Sequence, residues 1–421
     1  MANALTRSDD ILVVRNVLRL VSIMVLAAIA AVPAIANAAN GAKPKSKKRS
    51  LAGTSAVVAT GLDNSHVKLS WNPVTGAASY RVVRSGVTLG LTAGTTWTDA
   101  LLWPRTTYSY EVDALSATGT KLAALLGQGS SLALPSGGFP RPFPSTSIWN
   151  TPVGSTPVSS SSSAQMAYFL AHSPHPNMTL RDWGVAVSET HSDDSSYSVP
   201  CTRYSNCTLG ALGSFRIPMT AAPDPSDDGY LAVVDPSSQH EWDMWQASHS
   251  GSSWSASAGA ALSTAGNGTA PQGTASGDAA NLPLLGGIVR PEEIAQGHID
   301  HALVFGMPDV SDLGQVCPAT HHDGSTSDPN ALMEGAHLQL DPSVNVNALN
   351  IPAWQKTIAR ALQTYGMYLR DQGGSFVIYA ENPVGRGYDA WAKAGMPSGG
   401  NVSLDGIPWS KMRVLSAPSC S

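Results

Sequence analysis

The sequence predicts an all-β protein: a small β-sandwich followed by a larger β-sandwich or jelly roll with one or two helices. Its apolar runs are short, and many alternate with polar residues at the period of a half-buried strand. The 39 glycines and 29 prolines separate these runs with turns. Because 43% of the 421 residues are hydrophobic, the chain can form packed cores in two or three domains.

The N-terminal residues 1–38 have the pattern of a secretory signal peptide. Two arginines precede an apolar run at residues 20–32, and residues 36–38 supply the small side chains of a cleavage site. The run is shorter than the ~20 apolar residues of a membrane span, although an uncleaved signal would anchor the chain. We therefore expect a protein that is secreted, extracellular or associated with the cell envelope.

A basic segment follows at residues 39–54. Its lysines stand among glycine, proline and serine, which is typical of a solvated linker. The other interpretation is attraction to an anionic envelope polymer or lipid surface. The whole chain carries a formal net charge of −5 and lacks a basic patch interleaved with aromatic residues, so no nucleic-acid partner is expected.

Residues 55–135 contain strand patterns of one small sandwich. Alternation places Leu69 and Trp71 inward on one strand and Tyr108 and Tyr110 inward on another. Together these residues resemble a fibronectin type III domain, in which a tyrosine at the position of Tyr108 closes a corner. The resemblance implies a spacer beside a catalytic domain. Without an Arg-Gly-Asp tripeptide, it does not imply integrin-type adhesion.

After a short Pro/Ser/Gly linker, residues 139–421 are predicted to form one β-rich domain that is catalytic or binds carbohydrate. Its strand patterns lie at residues 179–187, 213–218, 229–234, 239–246, 298–305, 335–340 and 375–380. A short helix is predicted to begin at Pro291 and stop at Gly297. A longer one is predicted over residues 350–373, where apolar side chains recur at helical spacing. Such patterns favour antiparallel sheets whose concave face holds an elongated ligand.

The leading candidate catalytic residues lie in the strand pattern at residues 241–245. Glu241, Asp243 and Trp245 share one face of such a strand. Two carboxylates beside an aromatic ring suit a site that handles a sugar polymer. The pattern resembles the Glu-x-Asp element of jelly-roll family-16 glycoside hydrolases, which implies that Glu241 is the nucleophile or base and Asp243 its electrostatic partner.

The proton donor must come from elsewhere, because this chain has Gln246 where that family has a second glutamate. One candidate is Glu381, at the end of a strand pattern. The other is His298, which shares a strand face with Asp300 and would be held in one tautomer by it. In a lyase variant, His298 or a tyrosine abstracts a proton beside a uronate carboxylate that Arg181 neutralises.

Aromatic residues supply candidate substrate contacts. Flat rings stack on sugar faces, and charged groups fix hydroxyls, so Trp183 with its neighbour Arg181, and Trp245, are predicted to bind substrate. The polar loop that contains His322 and Asp323 offers oxygen atoms suited to a structural calcium ion. No zinc-binding spacing occurs, so no metal cofactor is predicted.

The four cysteines of a secreted chain predict two disulfides. The spacing favours Cys201 with Cys207 and Cys317 with Cys420 among the three possible connectivities. No Cys-x-x-Cys pair suggests redox catalysis.

These observations predict a secreted carbohydrate-active enzyme that acts on a polysaccharide or cell-envelope glycan, either as a glycoside hydrolase or as a polysaccharide lyase. No Gly-x-Ser-x-Gly elbow indicates a serine hydrolase. The alternative is a non-catalytic envelope or adhesion protein that binds carbohydrate or a surface partner.

Overall fold

The computed structural model describes residues 56–274 and 276–418. The predicted signal peptide and basic linker lie outside the described residues, and so does Cys420. Within the described ranges, no helix is long and apolar enough to cross a membrane.

The first folded unit is a sandwich of seven strands. These are β1 (Val58–Gly61), β2 (Val67–Ser70), β3 (Ser79–Arg84), β4 (Val87–Thr92), β5 (Thr96–Asp99), β6 (Thr107–Leu115) and β7 (Lys121–Ser130). They form two antiparallel sheets with strand orders β1-β2-β5 and β4-β3-β6-β7. Leu69, Trp71 and Tyr110 lie in the core between them, as the alternation predicts. The Tyr108 hydroxyl accepts a hydrogen bond from the Trp103 amide at 2.9 Å, which closes the predicted corner.

The larger unit is also mostly sheet. Its elements are α1 (Ser162–His172), β8 (Asn177–Thr179), β9 (Val185–Glu189), β10 (Ser196–Tyr197), β11 (Phe215–Arg216), β12 (Leu231–Asp235), β13 (His240–Trp245), β14 (Ser248–Ser250), β15 (Ser253–Ser255), β16 (Ala258–Ser263), α2 (Pro291–Gln296), β17 (Leu303–Met307), β18 (His337–Leu340), α3 (Ala353–Thr364), β19 (Met367–Gln372), β20 (Val377–Ile378), β21 (Glu381–Asn382), α4 (Ala390–Lys393), β22 (Asn401–Ser403) and β23 (Met412–Val414). Short 3-10 turns occur at Leu209–Leu212, Val346–Ala348, Pro383–Arg386 and Trp409–Lys411.

Two sheets dominate this unit, and the all-β class is confirmed. One has the order β16-β13-β12-β9-β21, and the other β22-β8-β20-β17-β19-β18-β23. The predicted hairpin is β12 with β13, and Trp242 and Met244 pack on the face opposite Glu241 and Asp243. Several pairs, including β9 with β12 and β17 with β19, are parallel, so the sheets are mixed where the patterns favoured antiparallel pairing. Each parallel pair requires a long crossover, part of which α3 supplies between β17 and β19.

The predicted long helix ends earlier than expected. α3 stops at Thr364, and Gly366 then turns the chain with a φ of 74°. A side chain at this glycine would lie 2.5 Å from the carbonyl oxygen of Leu338. The chain therefore continues as β19, and Leu369 reaches the same core from a strand instead of a helix.

The N-terminal sandwich packs against the larger unit. The His66 imidazole lies 2.6 Å from a carboxylate oxygen of Glu189. The hydroxyl of Tyr388 donates a hydrogen bond to the carbonyl of Leu101 at 2.8 Å. Arg84, inside the sandwich edge, donates to the carbonyl of Arg386. A freely moving spacer would make no such contacts.

Candidate active site

A cavity of about 620 Å³ lies in the larger unit where strands of its two main sheets approach one another. Its wall combines aromatic rings, carboxylates and amides. These are Trp183, Tyr204, Tyr230, Trp245 and Tyr379; Asp228, Asp278, Asp323 and Asp371; and Asn177, Asn206, Asn281 and Asn401. A pocket of this size with a few polar groups among rings is typical of a ligand site.

A β-bulge places the central polar residues of this wall. β17 and β19 run parallel, but their register shifts so that Phe305 pairs with Leu369 and Gly306 with Asp371. Arg370 is the extra residue. A bulge interrupts strict alternation and redirects side chains. Leu369 accordingly packs in the core while Asp371 reaches the cavity.

Asp371 lies in the cavity wall and is held there by two tyrosine hydroxyls. Its Oδ2 accepts hydrogen bonds from the hydroxyl of Tyr230 at 2.9 Å and from that of Tyr379 at 3.3 Å. Burial, and then the charges of Asp323 and Asp278, raise the pKa of Asp371 to about 7, against the opposing effect of the tyrosine bond. Asp371 can therefore hold a proton close to neutral pH.

Arg370 is enclosed behind this acid. Its guanidinium lies 2.8 Å from Oδ2 of Asp278 and 4.9 Å from the ring centre of Tyr379. The other oxygen of Asp278 accepts a hydrogen bond from the Leu282 amide at 2.8 Å. Burial raises the pKa of Asp278 to about 6 although Arg370 opposes the rise. The guanidinium of Arg370 is thus paired with Asp278.

Glu334 lies buried behind Asp323. Burial, and then its contact with Asp323, raise the pKa of Glu334 to about 11. Glu334 is therefore protonated at neutral pH and can share its proton with Asp323, which is exposed at the cavity wall.

The aromatic side of the cavity is built around the Cys201–Cys207 disulfide, which confirms the first predicted pairing. The loop that it closes carries Arg203, whose guanidinium lies 5.4 Å from the ring centre of Trp245. The Trp245 indole donates to Asp228 at 3.2 Å. Trp183 is 45% exposed, so its ring is free to stack on a ligand.

The structure places Trp183 and Trp245 together in the cavity wall, but not the predicted catalytic pair. Glu241 and Asp243 have no exposed surface. They accept hydrogen bonds from the amides of Leu285, at 3.3 Å, and Leu284, at 2.8 Å. A carboxylate enclosed in this way does not contact a polymer. The pair instead holds the segment that carries Asp278.

Burial and mutual contact leave this pair protonated more readily than ordinary acids. Burial, and then the charge of Asp243, raise the pKa of Glu241 well above its usual range. Burial raises the pKa of Asp243 to about 7.

Glu381 lies in a separate ion-paired group. It is fully buried and contacts Arg290 and Arg386. Burial opposes ionisation, but the charges of Arg290 and then Arg386 lower the pKa of Glu381 below its ordinary value. A carboxylate kept ionised by two guanidinium groups is unsuited to donate a proton. It does not line the cavity.

The remaining predicted residues also lie elsewhere. His298 pairs with Asp300 at 2.9 Å on the surface, and neither lines the cavity. Both nitrogen–oxygen contacts of the Arg181–Asp389 pair are under 3 Å, so Arg181 is already bound by a carboxylate. None of these residues lines the cavity. His298 lies in irregular chain before β17, which begins only at Leu303.

No group of three or more His, Cys, Asp or Glu side chains in residues 56–274 and 276–418 is arranged to hold a metal ion. The calcium expectation for the loop of His322 and Asp323 stays a prediction, as does the bond between Cys317 and Cys420.

Sequence reasoning missed most of the cavity acids. The available signal was Arg370-Asp371, two adjacent charged residues within an apolar run. The helical pattern predicted for that run gives no reason to expect Asp371 at a cavity. Asp228 and Asp278 come from loops, where an isolated aspartate carries no distinguishing pattern.

No family model matches the chain. A poly(3-hydroxybutyrate) depolymerase from Ralstonia pickettii is 41% identical to this chain over 64 residues. The match covers 15% of this chain and only 13% of the length of that protein. Among solved structures, an Fn3-like protein from Clostridium thermocellum is 28% identical and covers 20% of this chain and 99% of its own, with a TM-score of 0.16.

The sixth fibronectin type III domain of human fibronectin type III domain containing protein 3 is 19% identical, over 20% of this chain and 87% of its own, with a TM-score of 0.18. A family 28 exopolygalacturonase from Yersinia enterocolitica is 18% identical over 19% of this chain and 20% of its own, with a TM-score of 0.18. Likenesses of this extent do not cover the larger unit, so its function must be argued from its own residues.

Proposed function

We propose that the cavity is the active site of an exported hydrolase that cleaves glycosidic bonds in a polysaccharide. Asp371 is the general acid and Asp323 is its partner carboxylate. The observation that carries this proposal is the environment of Asp371: it lines a ring-walled cavity, and its pKa of about 7 keeps it protonated near neutrality.

Glycoside hydrolysis requires one carboxylic acid that protonates the leaving oxygen and a second carboxylate that attacks the sugar or activates water. The proton of Asp371 passes to the glycosidic oxygen as the bond breaks. The hydroxyls of Tyr230 and Tyr379 stabilise the aspartate that remains, because they already donate to its oxygen. Asp323, which is exposed to solvent, either takes a proton from the attacking water or attacks the anomeric carbon of the sugar as the nucleophile.

The exposed indole of Trp183 and the ring of Trp245 supply stacking surfaces for the sugar units. Amides on the same wall supply hydrogen bonds to hydroxyl groups. The Cys201–Cys207 disulfide supports export, since such bonds persist in oxidising compartments.

The same wall disfavours the lyase variant. A polysaccharide lyase acts on a uronate, whose carboxylate would meet Asp228, Asp278, Asp323 and Asp371. Burial, and then the charge of Asp371, raise the pKa of Tyr379 well above its usual range, so this tyrosine is a poor base. An esterase is disfavoured too, because no serine in the described part of the wall is hydrogen-bonded to a histidine.

A polysaccharide screen with reducing-end detection tests the proposal, with Asp371→Asn as the key variant. We expect activity on at least one polymer, reduced about 10²- to 10⁴-fold in Asp371→Asn, the range for loss of a general acid. Glu241→Gln is the matched control: it removes a buried acid outside the cavity. Binding without hydrolysis by the wild type would support the non-catalytic alternative and overturn the proposal.

A further inference from the structure

The charge of the cavity wall points to the class of sugar that it takes. Asp228, Asp278, Asp323 and Asp371 line it. Arg370 lies behind the wall and is paired with Asp278 at 2.8 Å, and Arg203 stacks on Tyr204 and Trp245 at the aromatic side of the cavity. Among the described lining residues, His321 alone can become a cation, and its Nδ1 is occupied by the carbonyl of Ala279 at 2.9 Å.

A second observation comes from Glu334. It has no exposed surface, and no described donor gives a hydrogen bond to either of its carboxylate oxygens. Its nearest charged neighbours are Asp323, Asp371 and Asp278, all of which line the cavity. Among the described residues, no arginine or lysine forms an ion pair with Asp323, Asp371 or Glu334, whereas Asp278 has Arg370.

We infer that the sugar unit bound at Asp323 carries a free amine, so the substrate is a polymer that contains de-N-acetylated hexosamine. The inference rests on the proposed hydrolase site and narrows its substrate class. An ammonium group donates three hydrogen bonds and carries the charge that the wall lacks.

A metal ion is a weaker occupant than an ammonium group. Metal ligands must converge on one point, whereas no three such side chains do so in the described part of the chain. An ammonium group on a sugar ring needs only one or two of the carboxylates, and the rest of the ring can stack on Trp183 or Trp245. Ring stacking and charge pairing thus fit one ligand.

The test is calorimetric titration of the full chain, with and without Asp323→Asn, using hexamers of glucosamine and galactosamine and their N-acetylated counterparts. Cleavage during the titration is checked by product analysis. We expect at least one amine hexamer to bind about tenfold or more tightly than its acetylated form, consistent with a charged hydrogen bond. The preference should shrink in Asp323→Asn.

Asp405→Asn is the control, since it removes one negative charge from an exposed loop away from the cavity. Its preference should equal that of the wild type. Equal binding of amine and acetylated hexamers, tighter binding of the acetylated forms, or no binding of either would overturn the inference. If the protein hydrolyses only neutral polymers and Asp371 is required, the proposed function stands and the inference of an amine substrate is wrong. If the protein binds the amine hexamer selectively but hydrolyses nothing, the inference stands and the proposed function is wrong.

Discussion

Two groups of carboxylates in the larger unit lie in opposite electrostatic environments. The ion-paired cluster consists of Glu292 and Glu381 with Arg290 and Arg386. The cavity group consists of Asp323 and Asp371 in the cavity wall and Glu334, buried behind Asp323. Arginine charges lower the pKa of Glu381 despite its burial, whereas burial and neighbouring acids raise those of Asp371 and Glu334.

This difference indicates that the ion-paired cluster stabilises the fold and that the cavity group is suited to chemistry. In the ion-paired cluster, every acid has a guanidinium partner. The main-chain carbonyl of Arg386 also accepts a hydrogen bond from the guanidinium of Arg84, which links this region to the N-terminal sandwich. Among the described residues, Asp323 and Asp371 form no ion pair with an arginine or lysine, and both line a space that fits a ligand. Asp371 can exchange a proton near neutral pH.

The largest effect should come from breaking the ion-paired cluster. Arg386→Met leaves Glu292 and Glu381 buried with one guanidinium between them, which we expect to lower the free energy of unfolding by about 3–5 kcal/mol. Denaturant unfolding measures this loss. The matched control is Arg181→Met, which breaks the partly exposed pair with Asp389 and should cost less than about 1 kcal/mol. Equal losses in the two variants would remove the distinction between the clusters.

The protonation of the buried pair beneath the cavity should appear in the pH dependence of stability. Asp243 has a pKa of about 7 in the folded chain and an ordinary value near 3.8 when unfolded. Between these values the folded state binds more protons, so stability falls as pH rises from about 4 to 7. Asp243→Asn should flatten the decline of the melting temperature across this window. A decline as steep as in the wild type would contradict the shifted pKa.

The smallest effect should come from the aromatic wall. Trp183→Ala removes one stacking surface and should raise KM up to about tenfold, in keeping with ~1–1.5 kcal/mol for a ring contact. The value of kcat should change little, because Trp183 forms no hydrogen bond with Asp371. Trp183→Phe keeps a ring and should recover part of the affinity. A fall in kcat with unchanged KM would place Trp183 in the chemistry instead.

The sequence predicts a helix or strand best where a single spacing of apolar residues continues along the whole element. The sandwich core around Trp71 and Tyr110 and the hairpin of β12 with β13 follow from alternation alone. The end of α3 does not, because Gly366 stops a helix whose apolar stripe continues in phase to Leu369.

The site was harder to predict than the elements. Alternation correctly put Glu241 and Asp243 on one face of β13, but it could not show that the segment around Leu284 covers that face. Asp371 is exposed to the cavity through a bulge that only the pairing of β17 with β19 defines. Trp183 and Trp245 stand out in the sequence because each ring lies beside charged residues, and this pattern needs no knowledge of long-range pairing. Both line the cavity, and their role in substrate binding stays a prediction.

The central claim is that Asp371 is the general acid, and the pH dependence of kcat/KM tests it most directly. On the polymer identified by the screen, wild-type activity should fall as pH rises through about 7, where Asp371 loses its proton. Asp371→Asn should lose about 10²- to 10⁴-fold in activity, and the remainder should lack that alkaline decline. Wild-type activity in Asp371→Asn, with the decline at the same pH, would contradict the account.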